Sequence, residues 1–555
     1  MNSIPGANAV TSGDQGGATN DPWLKLAKDA FSRSTTYFEN NYRKEWEDGL
    51  RMFQSRHPRD SKYLSDAYKF RSRLFRPKSR SVLRKNEATA ALAFFSNPDV
   101  TSLDPGNSSL ESAMGAELMK EIIQYRLTKT IPWFLTVIGG FQDAMNIGLV
   151  CSLQHWRYRQ KMEKVTKQGQ LPTGEVVSVD MNQPKVLEDR PCIDLFPIEN
   201  VRFDPGAQWY DVAGTSPYII LRIPMYVGDV LDNMETQDRS GAKWTAYTKE
   251  EILQSRIKAD DSMLPGRLDG KEDPADMKGE VNEFETVMVH LNFIRQGHET
   301  NCFYTLEDKR RLTDPVPLEE MFLHCKDGKP PVVIGFCVIE THRPVPPSLI
   351  NLGSQLQREL NESVNSRQDN VKFVLNKRTL FRRGANIDIQ GWNKNTPGSS
   401  HLVNDVEKDV RPVEYQDVTS SAFQEQDRMN VDFDELMGNF AQGSVLTNRK
   451  LNETVGGMRM MAQGANMLTE YTLRIFVETW AEPVLRQLSK MEAAFRILVT
   501  KGSPCPSRTY SSSTTRPPTG STCRTCWPGA ATRSPPPRAR RKRCRKSGSS
   551  ARTSC

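Results

Sequence analysis

The chain has 555 residues and a mass of 62.9 kDa; 37% of the residues are hydrophobic, 26% are charged, and the mean hydropathy is −0.58. This length predicts about three or four domains with sizeable cores. The longest nearly apolar stretch, 133–141, is far shorter than the ~20 residues that cross a bilayer, so we expect no membrane-spanning helix. Met1–Pro5 has neither a basic region nor an apolar core, so we expect no signal peptide.

The formal net charge of +8 is distributed unevenly. Fourteen of the 75 Lys and Arg lie beyond Glu492, the last acidic residue, which leaves 61 bases against 67 acids and a net charge of −6 in residues 1–492. The protein is therefore a mildly acidic body with a strongly basic C-terminal segment.

That basic tail, residues 501–555, is rich in Ser, Pro, Arg and Cys and contains no Val, Ile, Leu, Met or Phe. It cannot bury enough apolar surface to offset its chain entropy, so we expect it to be disordered or non-native. Three interpretations are open: a nucleic-acid-binding arm, a zinc site at Cys523 and Cys526 that lacks finger spacing, or the product of a shifted reading frame in GC-rich DNA. The abrupt change of composition inside a helix favours the shifted frame.

Helical periodicity dominates the first part of the chain. Residues 1–22 are rich in Gly, Ser, Asn and Thr and are predicted to form a flexible N-terminus. Apolar residues spaced by threes and fours then predict helices from Trp23 onward and over 78–95, 110–127 and 132–146.

The hydrophobic period changes to two between about 147 and 225, which predicts strands at 149–158 and 216–224. A second β-rich block covers about 285–342, with strands at 286–295 and 331–340. The predicted fold class is therefore α+β.

The clearest helix follows Pro346 and Pro347. Its apolar stripe consists of Leu349, Leu352, Leu356, Leu360, Val364, Val371 and Leu375. This spacing predicts one buried face over about 29 residues, or roughly 43 Å, packed beside similar helices. The other face is polar and carries Gln357, Arg358, Glu359, Glu362, Arg367 and Asp369.

A basic cluster follows this helix: Lys377, Arg378, Arg382 and Arg383, then Lys394 in a Gly/Asn-rich loop. A last long helix is predicted over about 452–491, with a kink at Pro483.

The motifs that carry catalysis are missing from the sequence. The nearest match to a phosphate-binding loop, 266–272, is one residue short and lacks the hydroxyl that binds magnesium. The seven His are dispersed, and the five body cysteines (151, 192, 302, 325 and 337) form no CxxC pair and indicate reduced thiols. We therefore predict a protein that is not an enzyme and has no cofactor and no metal.

Four segments, in this order, resemble the portal (head-to-tail connector) proteins of bacteriophages, particularly of the short-tailed type. They are Ala90–Asp99, Leu195–Pro205, Ser366–Gly384 and Gly443–Met460. The resemblance covers roughly residues 25–495, and the tail departs from it.

The resemblance implies a portal fold assembled as a ring, with twelve subunits around a channel at one capsid vertex. Double-stranded DNA passes through the channel during packaging and ejection. The implied partners are the terminase large subunit, the major capsid protein and scaffold, and the head-to-tail adaptor, with no membrane. The implied location is the virion, and the host cytoplasm during assembly.

The resemblance also implies a division of the chain. The expected parts are a wing (23–284), a β-rich clip (285–345), a stem helix (346–378), a tunnel loop (379–400), a wing return (401–451) and a C-terminal helix toward the crown (452–500).

In a ring, one basic side chain per subunit becomes a belt of charge, and Lys and Arg bind phosphates without recognising bases. The candidate DNA-channel residues are Lys377, Arg378, Arg382, Arg383 and Lys394. The alternative is that these side chains pair with Asp or Glu of a neighbouring stem.

A different class of function stays open: a non-enzymatic scaffold or nucleic-acid-binding protein that acts through its basic tail. A packaging ATPase is a weaker third hypothesis because it would need the missing phosphate loop.

Overall fold

The computed structural model describes residues 21–96, 101–170, 176–235, 243–255, 285–384, 387–393, 400, 403, 405, 408–416, 419–437 and 468–502. These residues belong to the first of two units, Met1–Gly502. The second unit, Ser503–Cys555, contains all but the first two residues of the predicted basic tail and lies outside the described residues.

The helices form the larger part of the described fold. They are α1 (Pro22–Asn41), α2 (Arg43–Phe53), α3 (Lys78–Phe95), α4 (Leu110–Tyr125), α5 (Trp133–Ile147), α6 (Val212–Thr215), α7 (Val227–Glu235), α8 (Lys249–Leu253), α9 (Leu318–Met321), α10 (Leu349–Leu375), α11 (Ile389–Asn393), α12 (Thr419–Leu436) and α13 (Glu482–Gly502). Helical backbone over 468–476 continues through a π-helical turn, Val477–Ala481, into α13.

The strands form two larger sheets and one short pair. They are β1 (Leu149–Gln170), β2 (Val176–Phe196), β3 (Val201–Phe203), β4 (Tyr218–Tyr226), β5 (Thr286–Gln296), β6 (Glu299–Leu306), β7 (Arg310–Arg311), β8 (Val316–Pro317), β9 (Val332–Phe336), β10 (Thr379–Phe381) and β11 (Val410–Pro412). One sheet has the order β2-β1-β9, a six-stranded sheet has the order β3-β4-β5-β6-β7 with β8 on β6, and β10 pairs with β11.

The predicted α+β class is confirmed, and several element boundaries agree with the sequence pattern. Helix α3 begins and ends at the predicted residues, 78 and 95. Strand β1 is much longer than the predicted 149–158 because it continues with β2 as a two-stranded ribbon. Strands β4 and β5 pair along their length, so one sheet spans the predicted boundary between wing and clip at residues 284 and 285. The division into wing and clip itself stays a prediction.

The core around α5 joins distant parts of the chain. Val137 and Phe141 of α5 are fully buried, and Trp133 stacks on Trp480 of the π-helical turn with ring centroids 6.2 Å apart. The indole of Trp480 donates to the Ser152 hydroxyl of β1 at 2.9 Å. A Cβ on Gly335 of β9 would lie 2.5 Å from the Trp480 Cβ, so only glycine fits where this strand crosses the turn. The C-terminal helical segment is therefore anchored in the same core as α5.

The polar face of α10 is only partly exposed to solvent: Arg358, Glu359 and Glu362 are exposed, and other polar residues of this face are buried. Gln357, Arg367 and Asp369 are buried, whereas Leu352 and Leu375 of the predicted apolar stripe are 43% and 74% exposed. Gln357 and Asp369 accept hydrogen bonds from the backbone of an earlier segment, whose irregular residues 72–77 lie along this face and need partners for their N–H groups. Arg367 is instead covered by α12, where its guanidinium lies 4.0 Å from the centre of the Phe423 ring. Leu349, Leu360 and Val364 are buried, as the stripe predicts.

Candidate nucleic-acid interface

The basic cluster lies immediately after the C-terminal end of α10. The helix ends at Leu375, and the Asn376 N–H still donates to the Lys372 carbonyl at 2.8 Å. Lys377 and Arg378 follow directly and are exposed. Two positively charged side chains therefore lie just after the C-terminal end of a 27-residue helix.

A short strand pair then determines where Arg382 lies. The Arg378 carbonyl accepts from the Val413 N–H at 2.7 Å, and the Arg382 N–H donates to the Asp409 carbonyl at 3.0 Å, so both ends of β10 are attached to the β11 segment. One face of the pair is covered by Trp392 of α11, which meets the Phe381 ring edge-on at 5.8 Å and donates to the Thr379 hydroxyl at 3.2 Å.

The opposite face of the strand pair is exposed among the residues that the structure describes. Side chains alternate along a strand, so Arg378, Leu380 and Arg382 point away from Trp392. Arg411 stands opposite Leu380 in the register, and both of these side chains are exposed. Arg411 thus joins the basic cluster, and it was missed because its partner strand is about 30 residues away in sequence and no local pattern marks the pairing.

The ion pairing of the cluster within the described residues is weak. The guanidinium of Arg382 is 4.0 Å from the carboxylate of buried Asp409, at the limit of an ion pair, while its own side chain is 64% exposed. Arg378 lies over the Phe373 ring at 5.1 Å. Exposed pairs of this kind contribute about 0–1 kcal/mol, so the side chains stay available to an external anion.

Of the five predicted DNA-channel residues, Lys377, Arg378, Arg382 and Arg383 lie within about seven residues of one another at one end of α10, and all four are exposed. Lys394 lies outside the described residues. The predicted tunnel loop contains two ordered elements, β10 and α11. This end of the molecule can therefore present several cations on one surface.

Three of the described cysteines are deeply buried. Burial raises the pKa of the thiols of Cys151, Cys302 and Cys337, so these cysteines are poor nucleophiles near neutral pH. In the part of the chain that the structure describes, no three His, Cys, Asp or Glu side chains are grouped to hold a metal ion. Nor does any helix there have the length and apolar composition needed to cross a membrane.

A comparison with protein families decides the class of the protein. The model of the phage SU10 portal protein family matches residues 71–496, which is more than half of the chain. The chain belongs to the phage SU10 portal protein family. No curated protein matches the chain. The predicted resemblance to phage portal proteins is thereby confirmed.

Membership in the SU10 portal family supports a head-to-tail connector role in genome packaging. In general, portal proteins are structural rather than enzymatic, form homo-oligomers, interact with the capsid and the terminase, and belong to the virion capsid. The match ends at residue 496, close to the point where the predicted basic tail begins. The family assignment therefore rests on the acidic body and not on the tail.

Proposed function

We propose that this portal protein assembles into a ring-shaped channel at one capsid vertex, through which double-stranded DNA is packaged and later ejected. The ring is a dodecamer, and it provides the docking site for the terminase large subunit and afterwards for the head-to-tail adaptor. The major capsid protein and scaffold surround it during assembly in the host cytoplasm. Support for this proposal comes from the family match, which spans residues 71–496.

Within the channel, the basic end of α10 contacts the DNA backbone. The observation that carries this assignment is the exposure of four side chains beside one end of the helix: Lys377, Arg378, Arg382 and Arg383. Among the described residues, only Arg382 lies near a carboxylate, at a distance of 4.0 Å. Repetition around a ring turns each side chain into a belt of charge. Lys and Arg bind phosphates without base recognition, as a channel for any genome sequence requires.

Charge reversal of two residues tests the assignment. The variant Arg382→Glu with Arg383→Glu reverses two exposed charges per subunit, and we expect it to reduce the amount of DNA packaged into capsids. The matched control reverses Lys243 and Lys326, two exposed lysines remote in sequence from the cluster. Unchanged packaging with intact rings would remove the DNA role, and loss of the ring would instead support pairing of the arginines with a neighbouring stem.

A further inference from the structure

A second basic segment lies along α10. We call residues 69–80 the basic strap; it contains Lys69, Arg71, Arg73, Arg76, Lys78 and Arg80 and no Asp or Glu. Within it, residues 72–77 have no regular secondary structure. This concentration of positive charge contrasts with the net charge of −6 of residues 1–492.

Four polar side chains of α10 hold the backbone of the strap. The N–H groups of Ser72, Leu74 and Arg76 donate to Asp369, Asn365 and Asn361 at 2.7–2.8 Å. The N–H of Ser79 donates to Gln357 at 3.0 Å. All four acceptor side chains are buried.

The spacing of the two elements explains why this pairing works. Four residues of α-helix rise about 6.0 Å, and two residues of extended chain cover about 6.6 Å. Asp369, Asn365 and Asn361, four residues apart on α10, therefore meet the alternate amides of residues 72, 74 and 76 in the strap, which runs in the opposite direction. Four backbone N–H groups of the strap are thereby bonded to side chains of α10.

The charged side chains of the strap differ in whether they form ion pairs with the described residues. Lys78 is paired with Asp434 of α12 at 2.8 Å, and Arg71 with Asp369 at 3.3 Å. Arg73 and Arg76 are exposed and form no ion pair with the described residues. A rigid backbone thus carries guanidinium groups that face solvent.

A cleft of about 640 Å³ lies between the strap and the C-terminal end of α10. Arg71, Arg73 and Lys372 line it together with His57 and Gln368, and none of its lining residues is a carboxylate. Lys372 is in the last turn of α10, directly before the basic cluster that begins at Lys377. The cleft therefore combines an anion-binding lining with a position at the proposed DNA-contacting end of the helix.

We propose that the cleft between the basic strap and Lys372 is a second contact site for the phosphate backbone of double-stranded DNA. This proposal rests on the proposed channel function, since it places a further ring of cations at the same end of α10. Arg73 and Lys372 contact phosphate, and the ladder of Gln357, Asn361, Asn365 and Asp369 keeps the strap in position. Preorganisation of this kind reduces the entropic cost of each contact.

The test is the salt dependence of DNA binding by the full-length protein. The variant Arg73→Gln with Lys372→Gln is titrated with a labelled duplex of about 30 bp over a series of salt concentrations. Each phosphate contact contributes about 0.9 to the slope of log K against log salt, so we expect a slope smaller by about 1.8 for every subunit that engages the duplex. The contribution of the basic tail is common to all variants and cancels in the difference.

Two controls make the outcome specific. The charge-matched variant Lys243→Gln with Lys326→Gln and the charge-preserving variant Arg73→Lys with Lys372→Arg should both keep the slope of the unmodified protein. An unchanged slope in the Arg73→Gln, Lys372→Gln variant overturns the proposal. If the Arg382→Glu, Arg383→Glu variant still binds DNA more weakly in that case, the channel function survives without this cleft. Dissociation of the ring in the Arg73/Lys372 variant also overturns it, because the cleft would then bind an acidic surface of a neighbouring copy.

Discussion

The side-chain amide of Asn365 completes both backbone hydrogen bonds of Leu74, accepting from its N–H at 2.7 Å and donating to its carbonyl at 2.8 Å. The same Asn365 oxygen accepts from the Ser72 hydroxyl at 2.8 Å. A helix side chain here takes the place of a neighbouring strand. The basic strap depends on this replacement for its position.

Removing that amide should release the strap locally. The variant Asn365→Leu has a similar volume but removes both hydrogen bonds to the backbone of Leu74, and each lost hydrogen bond costs about 0.5–1.5 kcal/mol. We expect much faster hydrogen exchange at the Leu74 amide and a lower Tm. Ser366→Ala, on the exposed face of α10, is the control. Unchanged protection at Leu74 would show that the ladder does not hold the strap.

His290 should make the protein less stable in mild acid. Burial in the six-stranded sheet, and then the charges of Arg222 and Arg202, lower its pKa to about 3. In the unfolded chain its pKa returns to about 6.5, so unfolding takes up a proton as the pH falls below that value. The free energy of unfolding is therefore not reduced by His290 above about pH 6.5. Below that value it falls toward pH 3, by up to about 1.4 kcal/mol per pH unit.

The free energy of unfolding, measured with urea at several pH values, checks this assignment. The variant His290→Gln removes the titrating group, and we expect its stability to fall less steeply between about pH 6.5 and pH 4 than that of the unmodified protein. His298→Gln, at an exposed position, is the control substitution. Equal steepness in the His290 variant and the unmodified protein would contradict the buried, neutral state of His290.

The C-terminal helix is attached to the body through an ion pair. The guanidinium of Arg126 is 2.6 Å from the Glu492 carboxylate, and the Glu492 side chain is fully buried. Because Glu492→Leu leaves the partly buried Arg126 without this partner, we expect a loss of roughly 3 kcal/mol in the free energy of unfolding. Glu482→Gln, which breaks an exposed pair with Arg486, should cost less than about 0.5 kcal/mol. Similar losses in both variants would refute a structural role for the buried pair.

Deleting residues 501–555 separates the portal function from a tail-driven one. The family match ends at residue 496, so the truncated chain keeps all matched residues. We expect it to assemble into the same oligomer as the full-length protein, as measured by light scattering after gel filtration. A truncated chain that stays monomeric and loses all DNA binding would favour the alternative of a binder acting through its basic tail.

The sequence predicted best the elements whose pattern is local. Helix α3 was predicted with its observed ends, and α10 was predicted from an apolar stripe and the prolines before it. The long β1–β2 ribbon was predicted only in part, because its outer residues, such as Arg159 and Lys161, break the apolar alternation. Pairing between distant strands, as in β10 with β11, has no local signal.

The polar side of α10 shows what a correctly predicted helix still leaves open. Gln357, Asn361, Asn365 and Asp369 recur every four residues, but polar residues at helical spacing usually indicate a solvent-facing surface. These side chains of α10 are buried instead, because an irregular segment about 290 residues earlier in the chain needs hydrogen-bond partners for its backbone. A ladder of amide side chains at four-residue spacing, with few long charged ones, is the signal that could have predicted it.

Imaging the purified full-length protein by electron microscopy tests the central claim most directly. A portal protein of this family that forms a DNA channel should appear as closed rings with a central hole, and three-dimensional averages should place the basic end of α10 against that hole. Monomers, or closed particles without a channel, would contradict the account.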